Sequence, residues 1–273
     1  MEAKTPRILV FTDLDGSLLD HDNYSWAVAQ PALKLLYERE IPVIFNTSKT
    51  LAEAVVIQRE MGFEQPFITE NGMVTTIPAG CFRDSCETEP THFFHGQPYR
   101  SIRRVLSNIR RQYGFRFKGF GDLTEKQVAE VTGLSIGEAS KAMARKASEP
   151  LVWLDSHSAL PEFVELLESE GLHLTRGGRF YHVSGKGNKG LALHALLKKY
   201  RQEYPEDSFT TCALGDGMND LPMLEAVDYP VLIRSEHGLA PDVSHIVEVV
   251  ETSGVGPEGW NQAILDLFSK KIK

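Results

Sequence analysis

A chain of 273 residues with 42% apolar and 24% charged side chains can bury one large core or two smaller ones, and its composition is that of a soluble globular protein. The formal net charge of −8 argues against nucleic acid as a partner, and no apolar run reaches membrane-spanning length, so no membrane association is expected either. Cys81, Cys86 and Cys212 have no zinc-ribbon spacing and leave one thiol unpaired in any disulfide scheme, and residues 1–6 carry no apolar signal segment; a cytoplasmic location is expected.

Ile8-Leu9-Val10-Phe11 is a short apolar run with β-branched members, the pattern of a strand buried on both faces of a parallel sheet. It runs into Asp13 and Asp15, which face the same way in an extended segment, and Gly16 permits a sharp exit. Residues 26–40 place Leu33, Leu36 and Tyr37 at helical spacing, with Pro31 near the start. Residues 41–46 read as a second buried strand ending in Thr47-Ser48-Lys49-Thr50, and residues 51–61 as a helix closed by Gly62. Phe67-Ile68-Thr69 reads as a third strand, ending at Glu70-Asn71-Gly72. This alternation predicts right-handed crossovers and a parallel sheet.

After about Cys81 the pattern changes. Residues 98–113 predict a helix whose Arg100, Arg103, Arg104, Arg110 and Arg111 surround an apolar stripe of Ile102, Leu106 and Ile109; in an acidic chain these arginines are expected to form a solvated face. A strand over 115–120 follows, then a helix opened by the capping box Ser135-Ile136-Gly137-Glu138, a strand over 149–154 and a helix over 162–170. Residues 172–183 read as a hairpin around Arg176-Gly177-Gly178-Arg179. From Lys189 the alternation returns, with a helix over 190–204, a strand over 209–214, a helix over 221–226, a strand over 231–233 and a final helix from about 259 to 270. The middle of the chain is therefore expected to be an α+β module inserted into an α/β domain.

Two carboxylates as close as those of Asp13 and Asp15 repel unless a cation or a shared proton relieves them, the situation of a metal-assisted nucleophile beside a general acid. Taken alone the same residues also fit a solvated turn. Gly215-Asp216-Gly217-Met218-Asn219-Asp220 holds the matching place after a buried strand and before a helix, and reads either as a capped turn or as hard oxygen ligands suited to Mg²⁺. Open α/β sheets place ligands beyond the carboxyl ends of their strands, so two acidic strand ends in one sheet favour the metal. Thr47 and Ser48 end another strand and offer hydroxyls to a helix cap, a phosphoryl oxygen or both. Lys189 opens a helix, where its charge and the N-terminal amides favour phosphate. Residues 185–190 satisfy G-x-G-x-x-G, but the acidic residue a dinucleotide fold requires at the end of the next strand comes too late.

Asp13-Leu14-Asp15-Gly16-Ser17, the strand end at Thr47, Lys189, and the stretch from Gly215 to Asp220 resemble, in order, the four motifs of the haloacid dehalogenase superfamily of phosphatases. The insertion resembles that superfamily's larger cap type. Further segments, Asn46-Thr47-Ser48-Lys49-Thr50, Glu70-Asn71-Gly72, Ser148-Glu149-Pro150-Leu151-Val152-Trp153 and Thr175-Arg176-Gly177-Gly178-Arg179-Phe180-Tyr181-His182, are similar to the mannosyl-3-phosphoglycerate phosphatase family. The chain departs from most superfamily relatives with this cap in carrying Thr47-Ser48-Lys49 for Thr-Gly-Arg, and Met73 where a small residue is usual.

The resemblance implies a Rossmann-like doubly wound parallel-sheet core, residues 1–82 and 187–273, with an α+β cap at 83–186 that sets specificity. It implies Asp13 as nucleophile, Asp15 as acid and base, and Thr47 and Lys189 on the phosphoryl oxygens. It implies Mg²⁺ on Asp13, the backbone carbonyl of Asp15 and Asp216, with Asp220 among or beside the ligands. Ser48, Lys49, Asn71 and the cap segment Arg176, Gly177, Gly178, Arg179 would bind substrate, the two guanidinium groups suiting a carboxylate such as that of phosphoglycerate. The expected substrate is a small phosphosugar, mannosyl-3-phosphoglycerate or its glucosyl analogue. A broad sugar-phosphate phosphatase or a phosphomutase on the same core, and a non-catalytic phosphosugar sensor, remain open at this point, as does the oligomeric state.

Overall fold

β1 (Arg7–Thr12) is buried from Leu9 to Thr12, and the rest of the core assembles on its two faces. The structure, a computed structural model, describes residues 6–82, 88–176, 180–236 and 240–270. After β1 come α1 (Gln30–Glu38), with Pro31 in its first turn, and β2 (Val43–Phe45). α2 (Leu51–Met61) is capped by Thr50, whose hydroxyl accepts from the Glu53 N–H while the Glu53 carboxylate reaches back to the Thr50 N–H. β3 (Phe67–Thr69), β4 (Val74–Ile77) and β5 (Thr91–Phe94) follow. Next are α3 (Tyr99–Tyr113), β6 (Phe117–Gly119), α4 (Glu125–Thr132), α5 (Ile136–Met143), β7 (Ser148–Trp153), α6 (Leu160–Ser169), β8 (His173–Arg176) and β9 (Tyr181–Ser184). The chain ends with α7 (Lys189–Glu203), β10 (Phe209–Gly215), α8 (Leu221–Leu224), β11 (Tyr229–Arg234), β12 (Val250–Val255) and α9 (Gly256–Lys270).

The central sheet is parallel throughout, in the order β12-β11-β10-β1-β2. Val10, Phe45, Leu214 and Val231 pack on one side with Leu33 and Leu36 of α1 and Trp260 and Ile264 of α9. Leu9, Phe11, Ile44 and Ala213 pack on the other with Leu193 and Leu196 of α7 and Met223 of α8. Alternation along each strand thus feeds two apolar layers, and the sheet is doubly wound as expected. Thr12 is level with Phe45 on one side and Leu214 on the other. Three strands therefore end in register, and the residues after them emerge at one edge.

A second sheet is antiparallel, in the order β6-β7-β9-β8. α3 and α6 cover one face of it, burying Ile102, Leu106, Phe163 and Leu167 against Phe117, Leu151 and Val183. Phe163 sits among the rings of Phe115, Phe117 and Trp153 at centroid distances of 5.0–5.4 Å. This is the α+β module anticipated between the two stretches of alternating strand and helix.

Three features depart from the sequence-based expectation. β3 does not extend the parallel sheet; it pairs antiparallel with β4, which pairs with β5, and meets the core only through a bridge between Asn46 and Ile68. The cause is the turn between β3 and β4, where Glu70, Asn71 and Gly72 all take left-handed φ (54°, 58° and 94°) and send the chain straight back. α4, β4, β5 and β12 had no place in the sequence reading. The arginines of α3 are not all a solvated face: Arg103 pairs with Asp122 and with the buried Glu149, and Arg110 with Asp122. Replacing Phe163, wholly buried, by alanine should leave a cavity costing about 3–5 kcal/mol, read as a lowered urea midpoint.

Candidate active site

The level ends of β1, β2 and β10 bring Asp13, Thr47 and Asp216 together. The Asp13 N–H donates to the Leu214 carbonyl at 2.9 Å, extending the β1–β10 ladder one residue past the strand. The Thr12 hydroxyl donates to the Asp13 carbonyl at 2.6 Å and accepts from Trp260 Nε1 of α9 at 2.9 Å. At Gly16 (φ 79°) the chain turns across Asp216, where a Cβ would stand 2.7 Å from Asp216 Oδ2, so a side chain there meets both backbone strain and a carboxylate. Ser17 Oγ donates to Asp216 Oδ1 at 3.0 Å.

Lys189, at the start of α7, has no exposed surface. Its Nζ lies 2.8 Å from Asp13 Oδ1 and 2.5 Å from Asp220 Oδ1. The other oxygen of Asp220 accepts from the N–H groups of Asp216 (3.0 Å) and Gly217 (2.9 Å). Carboxylate oxygens of Asp13, Asp216 and Asp220 lie within 4.8 Å of one another. One ammonium thus faces three carboxylates. Burial raises the Asp13 carboxyl to about 7, with Lys189 opposing and Asp220 and Asp15 reinforcing the shift. Burial, then Asp220 and Asp13, hold Asp216 well above its ordinary value. At Lys189 burial opposes the charge, but Asp13 and Asp220 outweigh it and the ammonium is held above its usual range. A hard divalent cation answers this excess of negative oxygen.

The side chain of Asp15 turns away from that cluster and pairs with Lys49 Nζ at 2.9 Å. Lys49 also lies 3.9 Å from Glu53 and 4.6 Å from the centre of the Tyr24 ring. Burial alone would lower its pKa; Asp15 and Glu53 raise it instead, so the lysine is a firm cation. Thr47 is fully buried, its hydroxyl accepting from the Lys49 N–H at 3.2 Å and its carbonyl from the Asn71 N–H at 2.9 Å. Asn71 Oδ1 accepts from Asn219 Nδ2 at 3.1 Å, tying the 70–72 turn to the 216–220 loop.

The inserted module reaches these loops directly. Glu70, without exposed surface, accepts from the N–H groups of Lys146 (2.8 Å) and Ala147 (3.0 Å) and the hydroxyl of Ser148 (2.6 Å). Arg145 Nη1 donates to the Ser48 carbonyl at 2.7 Å, and the Thr50 hydroxyl to the Lys141 carbonyl at 2.9 Å. β8 runs close to the 218–220 turn, and Arg176 at its end is exposed with its guanidinium 5.9 Å from the Tyr181 ring centre. Gly177, Gly178 and Arg179 lie outside the described residues. The G-x-G-x-x-G run serves packing: a Cβ on Gly190 would stand 2.0 Å from the Pro222 carbonyl oxygen. Sequence reasoning passed over the roles of Ser17 and Asn219, although both sit inside motifs it marked. It had no signal for Trp260, Arg145 or the Glu70 contacts, which join segments far apart in the chain.

A family model described as haloacid dehalogenase-like hydrolase matches residues 10–87 and 161–256. A glucosyl-3-phosphoglycerate/mannosyl-3-phosphoglycerate phosphatase of Methanococcoides burtonii is 44% identical over 269 residues, covering 96% of this chain and 97% of the relative. A protein of the same name from Persephonella marina is 37% identical over 274 residues, covering 96% and 98%. Among solved structures, the sucrose-phosphatase of Synechocystis superimposes with a TM-score of 0.64 over 96% of this chain and 98% of its own, at 14% identity, which speaks to the fold alone. Among the described residues no helix is long and apolar enough to cross a membrane. The ordered motifs, the sheet and these matches agree: the chain belongs to the haloacid dehalogenase-like hydrolase family.

Proposed function

We propose that this protein hydrolyses mannosyl-3-phosphoglycerate or its glucosyl analogue to the glycosylglycerate and inorganic phosphate, with Mg²⁺ as cofactor. One observation carries the chemistry: a buried lysine pairs with Asp13 and Asp220 beside Asp216, at the ends of adjacent parallel strands. The substrate rests on the two phosphatase relatives at 44% and 37% identity. Residues 1–82 and 187–273 act as the catalytic core, and 83–186 as a cap that selects substrate. Free thiols at Cys81 and Cys212 suit a reducing cytoplasm, while Cys86 lies outside the described residues.

In this reading an Asp13 carboxylate oxygen attacks phosphorus in line, and the bond from phosphorus to the glycerate oxygen breaks. Asp15 gives its proton to the departing oxygen, then takes one from the water that attacks the aspartyl-phosphate, releasing phosphate and restoring Asp13. Lys49, fixed by Glu53, orients the Asp15 carboxyl at 2.9 Å. Lys189 neutralises phosphoryl oxygens and Thr47 orients them. Ser48, Lys49, Asn71 and the segment Arg176 to Arg179 line the substrate. Asp13, Asp216 and the backbone carbonyl of Asp15, with Asp220 beside them, would hold Mg²⁺, which when bound supplies charge neutralisation at the phosphoryl group. The crowding of three carboxylates around one ammonium supports that assignment.

Burial and crowding together give the cluster a pH signature. In the metal-free protein Asp13 titrates at about 7, against 3.8 when unfolded, so between those values the folded state binds more protons than the unfolded one. Its contribution therefore lowers stability as pH rises across that window. Without metal, Asp13→Asn should melt above wild type at pH 8, with the gap narrowing as pH falls toward about 4. Mg²⁺ should raise the wild-type melting temperature more than that of the variant. Equal melting at both pH values would contradict the crowding.

The activity test is phosphate release from mannosyl- and glucosyl-3-phosphoglycerate and from hexose phosphates, with and without Mg²⁺. Strong, Mg²⁺-dependent preference for the glycosyl phosphoglycerates is expected, with Asp13→Asn inactive and Asp15→Asn slowed about 10²–10⁴-fold. Weak release spread over hexose phosphates would keep the mechanism and remove the substrate. Release from none, with wild type matching Asp13→Asn, would favour a phosphomutase or a sensor.

A further inference from the structure

One face of the β6-β7-β9-β8 sheet carries polar groups that the chemistry above leaves without a task. Along β9, Tyr181 and Val183 pack with α3 and α6, so His182 and Ser184 project from the opposite face. β7 shows where that face looks: Leu151 and Trp153 pack with the helices, while Ser148, on the other side, bonds Glu70 of the 70–72 turn at 2.6 Å. Pro150 stands opposite His182 in the ladder and shares its side. His182 is therefore on the face turned toward the catalytic loops.

His182 is only 7% exposed, and its Nδ1 has no hydrogen-bond partner among the described residues. Buried ring nitrogens are nearly always satisfied, so one that is not points to a missing partner. Arg145, in the segment that joins α5 to β7, is 9% exposed. Its Nε donates to the Ala142 carbonyl at 2.8 Å and its Nη1 to the Ser48 carbonyl at 2.7 Å, and among the described residues it forms no ion pair with a carboxylate. Two neutral carbonyls orient the guanidinium, and the carboxylate in its field, Glu149, is already engaged by Arg103, so an anion brought to Arg145 would still meet an attracting charge.

Burial, Arg145 and Lys189, in that order, lower the His182 pKa to about 3, so the imidazole is neutral in the field of both cations. A glycosyl phosphoglycerate carries two anions. Lys189 and the acidic cluster serve the phosphoryl group, and Lys49 is engaged by Asp15 and Glu53. Arg176 is exposed. Among the described residues, Arg145 is the buried cation held beside Ser48 and placed to meet the carboxylate.

Resting on the substrate reading above, we propose that Arg145 and His182 form the subsite for the glycerate carboxylate, Arg145 supplying charge and His182 Nδ1–H one directed hydrogen bond. A site built to pair a charged group rejects the analogue that lacks it, because its own buried groups are then left unpaired.

The test compares two substrates for the Mg²⁺-loaded enzyme: glycosyl-3-phosphoglycerate, and the glycosylglycerol phosphate in which a hydroxymethyl group replaces the carboxylate. Wild type should favour the carboxylate substrate in kcat/KM by about 50-fold or more. In Arg145→Met and His182→Leu that ratio should fall below about 5, mainly through KM, while His182→Asn, which keeps a polar atom near Nδ1, restores much of it. Should the variants fold poorly, wild type suffices. Glycosylglycerate should then inhibit at least about ten times better than glycosylglycerol. No phosphate from the carboxylate substrate would fail the substrate reading itself. Phosphate release with no discrimination, a ratio that survives in both variants because the two substrates lose rate together, or a ratio that collapses in Arg176→Met instead, would overturn this assignment alone.

Discussion

The ammonium of Lys189 lies without solvent contact between Asp13 and Asp220, and the arrangement around it follows from the cost of burying charge. A lysine in that position would lose its proton if unpaired; two carboxylates keep it charged. They in turn could not approach each other without it. With Asp216 added, the cluster retains more negative than positive charge, and burial first, then the neighbouring carboxylates, raise the carboxyls of Asp13 and Asp216. The three carboxylates could hold a divalent cation, whose charge would relieve that excess.

What holds the cluster in place is the sheet beneath it. Thr12 is level with both Phe45 and Leu214, so adjacent strands release their chains at one height. Beyond the strand, hydrogen bonds fix the backbone of Asp13 from both directions: its N–H to Leu214, and its carbonyl to a Thr12 hydroxyl that is itself held by Trp260. Gly16 then allows the turn to lie against Asp216. Rigid elements thus carry side chains whose spacing has to be controlled closely.

The inserted module meets this site through polar contacts beside a small apolar cluster of Met73, Val74 and Ala147. Glu70, Thr50 and the Ser48 carbonyl engage residues 141–148, and three of the five hydrogen bonds are made to backbone groups of that segment. Contacts of this kind specify a relative position without the large buried apolar area that would make separation costly. The module's own stability comes from elsewhere, namely the ring cluster around Phe163 and the ion pairs of Arg103 and Arg110. The buried Glu149 is satisfied by Arg103, Tyr99 and the Gly121 N–H, whereas His182 Nδ1 has no partner among the described residues.

The local patterns of this chain determined a good deal by themselves. Apolar runs, helical spacing, the Gly62 stop and the Ser135 cap marked where β1, α2 and α5 lie, because each depends on neighbours within a few residues. Acidic and hydroxyl residues at strand ends marked Asp13, Thr47 and Asp216, because a parallel sheet delivers its strand ends to one edge. Tertiary structure decided the rest. It turned Asp15 to Lys49, sent β3 back against β4, and paired arginines of α3 that had read as solvated. It brought Trp260 to Thr12 across 248 residues and buried Arg145 against the Ser48 carbonyl. These depend on which segments meet in space. A partner hundreds of residues away leaves no periodicity and no spacing to read.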